Sequence, residues 1–162
     1  RIVYEHSSNS MQFSTANTQS LVINGTGAIT MPLQPSFQGG LNNTNYTTTG
    51  TVIWNVTYHN IGNHYNASTG KFTCPVAGLY YCQIMVMSNG AVTMNFQLEV
   101  NDAVTQRLVP YQVDTGGAHN QVSGACIANV SANDTLSFHM FSGSIYGGAD
   151  GRHSSVTFHL LS

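Results

Sequence analysis

Six carboxylates and seven histidines are the groups in this 162-residue chain that could carry acid–base or metal chemistry. The acids are Glu5, Glu99, Asp102, Asp114, Asp134 and Asp150. Cleaving a glycosidic bond needs two facing carboxyls, one of them kept protonated by its surroundings. Most of these acids fall in turn-like stretches rich in Asn and Gly, where Asp serves the backbone. Glu99 alone lies inside a strand pattern of the main domain. The sequence has no Gly-x-Ser-x-Gly elbow, no phosphate loop and no zinc-enzyme motif. No catalytic residue is expected, and the chain is read as a non-enzyme.

The histidines are His6, His59, His64, His119, His139, His153 and His159, with no His-x-His pair among them. They are read as hydrogen-bonded surface or interface groups. Cys74, Cys82 and Cys126 make an odd count at irregular spacing, which is not a disulfide framework. Each sits in an apolar strand pattern, so buried, inert thiols are expected. A Cys82–Cys126 pairing stays open if their strands are neighbours. There is no CxxC motif, and no metal is expected.

Composition narrows the partners. Only 6% of residues are charged, against about 25% in ordinary domains. Asn, Thr, Ser and Gly take their place, so the surface is polar but nearly neutral. Four Lys and Arg in total cannot track a phosphate backbone, which argues against nucleic acid. No apolar run is long enough to enter and cross a bilayer. The chain opens Arg1-Ile2-Val3 and is read as a fragment of something longer.

These groups must be positioned by strands. No helical period appears; short alternating runs recur between Gly, Asn, Asp and Pro. The clearest are Thr51–Val56, Gly70–Cys74, Leu79–Met87, Val92–Val100, Gln121–Val130, Thr135–Phe141 and Ser155–Leu161. Residues 1–34 differ. Ser10–Thr30 is polar, and Leu21-Val22-Ile23 and Ala28-Ile29 flank Asn24-Gly25-Thr26-Gly27 as a hairpin. This piece has too few apolar residues for a core of its own. Pro32 and Pro35 mark a boundary, giving an N-terminal β segment over 1–34 and a main domain over 35–162.

Trp54, Asn60, Tyr65, Phe72, Gly78 and Tyr80 fall at the offsets of a known signature. The string from Tyr65 to Tyr81 resembles the C1q domain, of the C1q/tumour-necrosis-factor type, almost position by position. Ser155–Leu161 is similar to that family's last strand. The resemblance covers about Pro35–Ser162. It departs at Trp54, where Phe is usual, at Cys82 and Ile84, where aromatics are usual, and at Asn133-Asp134. It implies an all-β, ten-stranded jelly-roll sandwich that assembles as a homotrimer. The residues agree in one respect. Along Leu79–Met87 one face carries Tyr80, Cys82, Ile84 and Val86, and the other Tyr81, Gln83, Met85 and Met87. A strand apolar on both faces is covered on both sides. Phe37, Tyr81, Met85, Met87 and Phe158 are expected at the threefold interface. His159, alternating with Phe158 and Leu160, is the one histidine that threefold symmetry could turn into a metal site.

The segment Ser20–Pro32, running into Gln34-Pro35-Ser36-Phe37, resembles the end of a fibre shaft entering the C1q-like knob of phage structural proteins. The family's strand order places the loops Ser88–Ala91, Gln112–Asn120 and Ser142–His153 at the far end. There Tyr111, Asp114, His119, Asn120, Tyr146, Asp150, Arg152 and His153 supply groups that a glycan or surface protein would need. A calcium site of the C1q type would draw on Asp114 and Asp150; otherwise no cofactor is expected. The reading is a trimeric phage tail-fibre tip, carried on the virion, that attaches to a host-cell surface receptor of glycan type. A structural trimerisation cap is the first alternative. A secreted, extracellular animal ligand or lectin is the second.

Overall fold

The computed structural model describes residues 1–113 and 119–162. Among them lie fifteen strands and no helix, so no helix is long and apolar enough to cross a membrane. The chain divides into two compact units, Arg1–Gln34 and Pro35–Ser162.

The first unit is an antiparallel meander of β1 (Ile2–Glu5), β2 (Ser10–Thr15), β3 (Thr18–Ile23) and β4 (Ile29–Thr30). Local chemistry sets its turns. Ala16 and Asn17 both hold positive φ, 48° and 61°, the two-residue geometry whose twist suits paired strands. In the expected hairpin, Asn24 Oδ1 accepts the N–H groups of Thr26 at 3.0 Å and Ala28 at 2.9 Å. The side chain thus closes the β3–β4 turn.

The second unit is a sandwich of eleven segments. They are β5 (Ser36–Gly40), β6 (Gly50–Thr51), β7 (Val56–Ile61), β8 (Tyr65–Asn66), β9 (Lys71–Thr73), β10 (Gly78–Met87), β11 (Thr93–Val100), β12 (Ala103–Val113), β13 (Gln121–Val130), β14 (Thr135–Ser142) and β15 (Ser155–Leu160). One antiparallel sheet runs β13-β10-β15-β5-β7, the other β12-β11-β14-β9-β8 with β6 also on β14. The all-β jelly roll is as expected, in eleven segments and not ten, of which β6 and β8 are only two residues long. The expected strand Thr51–Val56 shrinks to Gly50–Thr51, with Val52 and Trp54 buried beyond it.

The core fills the space between the sheets. Trp54, Phe37, Phe72, Tyr80, Phe96, Phe138 and Phe158 are all fully buried. Phe72 and Phe138 each lie 5.5 Å from Phe158, centroid to centroid, and Phe37 stacks on Tyr65 at 3.8 Å. The signature residues acquire physical roles here. The Trp54 backbone N–H donates to the Tyr65 hydroxyl at 2.8 Å. Asn60 closes a ring with the Tyr65 backbone, donating to its carbonyl at 3.0 Å and accepting its N–H at 3.1 Å. A Cβ on Gly78 would overlap the Ser162 carbonyl oxygen, so close backbone approach demands glycine there.

One expectation is corrected. Phe37 and Phe158 are not interface residues: both are 0% exposed within one chain. They pair directly across β5 and β15 and point into the sandwich, the face to which strand alternation assigns them. Cys82 and Cys126 are neighbours, opposite each other on β10 and β13, and both are free thiols. Their hydrogen bond and burial push Cys82 far above the ordinary thiol range, and burial pushes Cys74 up to about 12. Cys74 and Cys82 are therefore protonated at neutral pH and poor nucleophiles, whereas the same hydrogen bond lowers Cys126.

Candidate functional site

Strand β10 sets the two ends of the sandwich. At its Leu79 end the Leu161 N–H donates to the Leu79 carbonyl, and the Leu160 N–H donates to the Pro35 carbonyl. The chain therefore enters and leaves the second unit there. At the other end, beyond Met87, several loops converge. The Tyr146 N–H donates to the Met87 carbonyl at 2.8 Å, and the Asn89 N–H to the Ser144 carbonyl at 2.8 Å. Ser88 and Asn120 bond both ways: the Ser88 N–H donates to the Asn120 carbonyl at 2.7 Å, and the Asn120 N–H donates to the Ser88 side-chain Oγ at 2.9 Å. The described residues of the three loops proposed from sequence thus meet in one place; residues 114–118 lie outside them.

Aromatic rings top this cluster. His119 lies over Tyr146, ring centroids 4.3 Å apart, and His153 approaches the same tyrosine at 5.2 Å. His119 Nδ1 is 3.0 Å from the Ser88 carbonyl oxygen, a donor contact in the tautomer protonated there. The His153 N–H donates to the Gly147 carbonyl at 3.2 Å. Both histidines, Asp150 and Arg152 are exposed. Asp150 Oδ1 accepts the Arg152 N–H at 3.2 Å, so the acid braces its own turn. Tyr111 belongs to β12, with its side chain outside the described residues, and Asp114 also lies outside them. Among the described residues no three His, Cys, Asp or Glu groups converge as metal ligands.

A fourth loop, over residues 41–49, was missed from sequence. Its Tyr46 bridges Ile145 in both directions, at 3.0 and 2.8 Å, and its Asn43 carbonyl accepts the Gly147 N–H at 2.8 Å. Asn45 Oδ1 accepts from Asn89 Nδ2 at 3.0 Å and from Ser144 Oγ at 2.8 Å. One amide oxygen therefore ties three loops together. The run Leu41-Asn-Asn-Thr-Asn-Tyr-Thr-Thr-Thr49 carried the only hint, and its composition is that of any polar loop. The loop can come this close because Gly147 has no Cβ: one would overlap the Leu41 carbonyl.

The described carboxylates are otherwise engaged. Asp102 pairs with Lys71 at 2.6 Å, Asp134 accepts from Asn101 and Ser131, and Glu5 accepts from Ser7. Glu99 is buried on the β11 face turned from the core and lies 2.9 Å from His139 Nδ1. Its neighbours on that face, Asn95 and Gln97, are also buried. Their side-chain carbonyl oxygens lack hydrogen-bond partners.

Residues 36–161 match the family model described as C1q domain, which is most of the chain. The chain belongs to the C1q domain family. Solved structures agree on the C1q fold. The globular domain of zebrafish complement 1qA protein superposes with a TM-score of 0.62 at 18% identity, covering 80% of this chain and 98% of that one. Murine APRIL gives 0.60 at 12% identity, covering 79% and 99%. The Eiger TNF from S. frugiperda gives 0.56 at 10%, covering 80% and 93%. At these identities the likeness concerns the fold. Within it, the chain's own C1q signature residues hold the core, and its loops beyond Met87 present the exposed polar and aromatic groups.

Proposed function

We propose that this chain is the distal binding knob of a homotrimeric phage tail fibre, held on the virion and attaching to a glycan receptor on the host surface. The observation that carries the reading is the cluster of Asn45, Asn89, His119, Tyr146 and His153, gathered at the end of the sandwich opposite Pro35. Flat aromatic rings beside amide and hydroxyl groups suit the alternating apolar and hydroxyl faces of a sugar.

The trimer reading rests on the outer face of the β13-β10-β15-β5-β7 sheet. Leu79 and Ile127 are 39% and 57% exposed there, beside half-buried Tyr81, Met85 and Met87. Tyr81 is flanked in register by Ile127 and His159. The strand positions on this face of β10, β13 and β15 carry no Lys, Arg, Asp or Glu. Leu79, Tyr81, Met85, Met87 and Ile127 form an apolar strip among uncharged polar neighbours such as Gln83, Ser123 and Thr157, and such a strip suits an association surface. The threefold arrangement comes from the family resemblance. Three identical loop clusters on one rigid body would bind a repeating surface weakly one by one and strongly together.

The phage setting is supported by the β meander before Pro35, which stands where collagen or a coiled coil would precede a secreted C1q domain. A secreted animal ligand is the second reading, favoured by family membership itself. The sequence upstream of residue 1 separates the two: a shaft repeat supports the fibre, and a collagen or coiled-coil stalk supports the ligand.

The test is binding of the labelled, intact trimer to candidate host cells and a glycan array, with and without EDTA. Saturable binding that is lost in Tyr146→Ala and His153→Ala, with the trimer mass unchanged, establishes the receptor site. EDTA sensitivity would bring a calcium site near Asp150 into it. An intact trimer that binds nothing across a broad host panel is a structural cap.

A further inference from the structure

The first unit carries an apolar face of its own. The registers align Ile2 with Phe13 and Leu21 in one row, and Tyr4 with Met11, Ile23 and Ile29 in the next. Residues paired across antiparallel strands share a face, and so do residues two apart along a strand. All seven side chains therefore lie on the same side of the sheet. The other side mixes Val3 and Val22 with Gln12 and Thr30, and carries Glu5 opposite Ser10.

This face is left uncovered. Ile2 is 69% exposed and Ile29 63%, Tyr4 and Met11 are exposed, and Phe13, Leu21 and Ile23 are only half-buried. A sheet with one apolar face is completed by a second layer, and single exposed residues are ordinary where a contiguous apolar face is not. We propose that the apolar face of the β1–β4 sheet packs against the same sheet of sister copies, making residues 1–34 a second self-association surface. The inference rests on the trimer reading above.

Two observations select a sister copy as the occupant. First, the face holds no charged side chain; by strand alternation Arg1 and Glu5 belong to the other side. A neutral apolar face meets its own copy without like-charge repulsion. Second, only the residues from Met31 to Gln34 separate β4 from the second unit, whose uncharged outer face carries the apolar strip described above. Once that face associates, a tether this short holds the copies of the first unit at an effective concentration of about millimolar. Weak pairing of the first units is then enough.

The experiment uses the full chain with a photo-reactive p-benzoylphenylalanine in place of Tyr4, of Ile29 or, as a control on the opposite face, of Gln12. Mass in solution is measured by analytical ultracentrifugation before irradiation. Light and isotopically heavy chains are mixed so that adducts between chains are told from adducts within one. The expected result is a trimer in which positions 4 and 29 give chain-to-chain adducts mapping to residues 1–34, several-fold above position 12. A particle of trimer mass with adducts only within a chain, or with none, overturns the proposal and leaves the trimer standing. A monomer mass before irradiation sinks the trimer reading, and this inference with it. An Ile29→Asp chain gives a second readout. It should keep its trimer mass but expose residues 1–34 to limited proteolysis, whereas unchanged protection argues against the packing.

Discussion

Phe158 lies between Phe72 and Phe138, with no exposed surface. Truncating it opens a cavity that rigid neighbours cannot close, so Phe158→Ala should cost about 3–5 kcal/mol of stability in urea unfolding. Tyr81→Ala, on the outer face of β10, should cost the isolated chain far less. A different residue reports pH. Asp134 is held below the ordinary carboxyl value of 3.8 by the hydrogen bond from Asn101 and by the Ser131 N–H. A depressed folded-state value means that its stabilisation is fully present above 3.8 and is lost as pH falls through the folded-state value. Asp134→Asn should therefore unfold at lower urea than the parent at neutral pH, and the gap should close in acid well below pH 3.8. A gap that persists unchanged in acid would assign the effect to geometry and not to charge.

Among the elements, β10 and β13 make the clearest mechanical prediction. Tyr81 and Ile127 are register partners on the outer face, so Tyr81→Glu with Ile127→Asp places carboxylates where sister copies would meet. The expected outcome is a folded monomer, read by sedimentation together with an unchanged far-ultraviolet spectrum. These strands were legible in sequence because Leu79–Met87 is a long run without Gly or Pro, and Gln121–Val130 alternates over most of its length. Others were not. β5 ends in Gly39-Gly40, β7 reads Val-Thr-Tyr-His-Asn-Ile with little alternation, and β12 contains Pro110. Proline is tolerated in β12 because that strand is a sheet edge, which only the assembled topology reveals. The candidate site divides in the same way. The loops around Asn89, His119 and Tyr146 followed from strand order. The fourth loop did not, because its place depends on Tyr46 pairing with Ile145, ninety-nine positions on, and nothing local in Asn42–Thr49 encodes that. Phe37 and Phe158 were misassigned because an apolar residue in a two-sided strand does not say which side it faces until the register is known.

For the molecule as a whole, scarcity of charge is the property that reaches furthest. With 6% of residues charged, the proposed receptor site beyond Met87 would rely mainly on hydrogen bonds and ring contacts, with Asp150 and Arg152 its described charged groups. Receptor affinity should therefore change by less than about threefold between low salt and seawater-like ionic strength, where exposed ion pairs are screened within about 3–10 Å. Surface plasmon resonance across a salt series checks this, and a steep loss would point to ionic recognition. The opposite end of the sandwich has its own consequence. Leu160 donates to the Pro35 carbonyl at 3.0 Å, so the two flanks of the second unit sit one strand spacing apart. Residues 35–162 have the geometry of a cassette. Spliced into a surface loop of an unrelated scaffold, they would ask its flanks to part by only about 5 Å, and they would point the Tyr146 cluster away from their host.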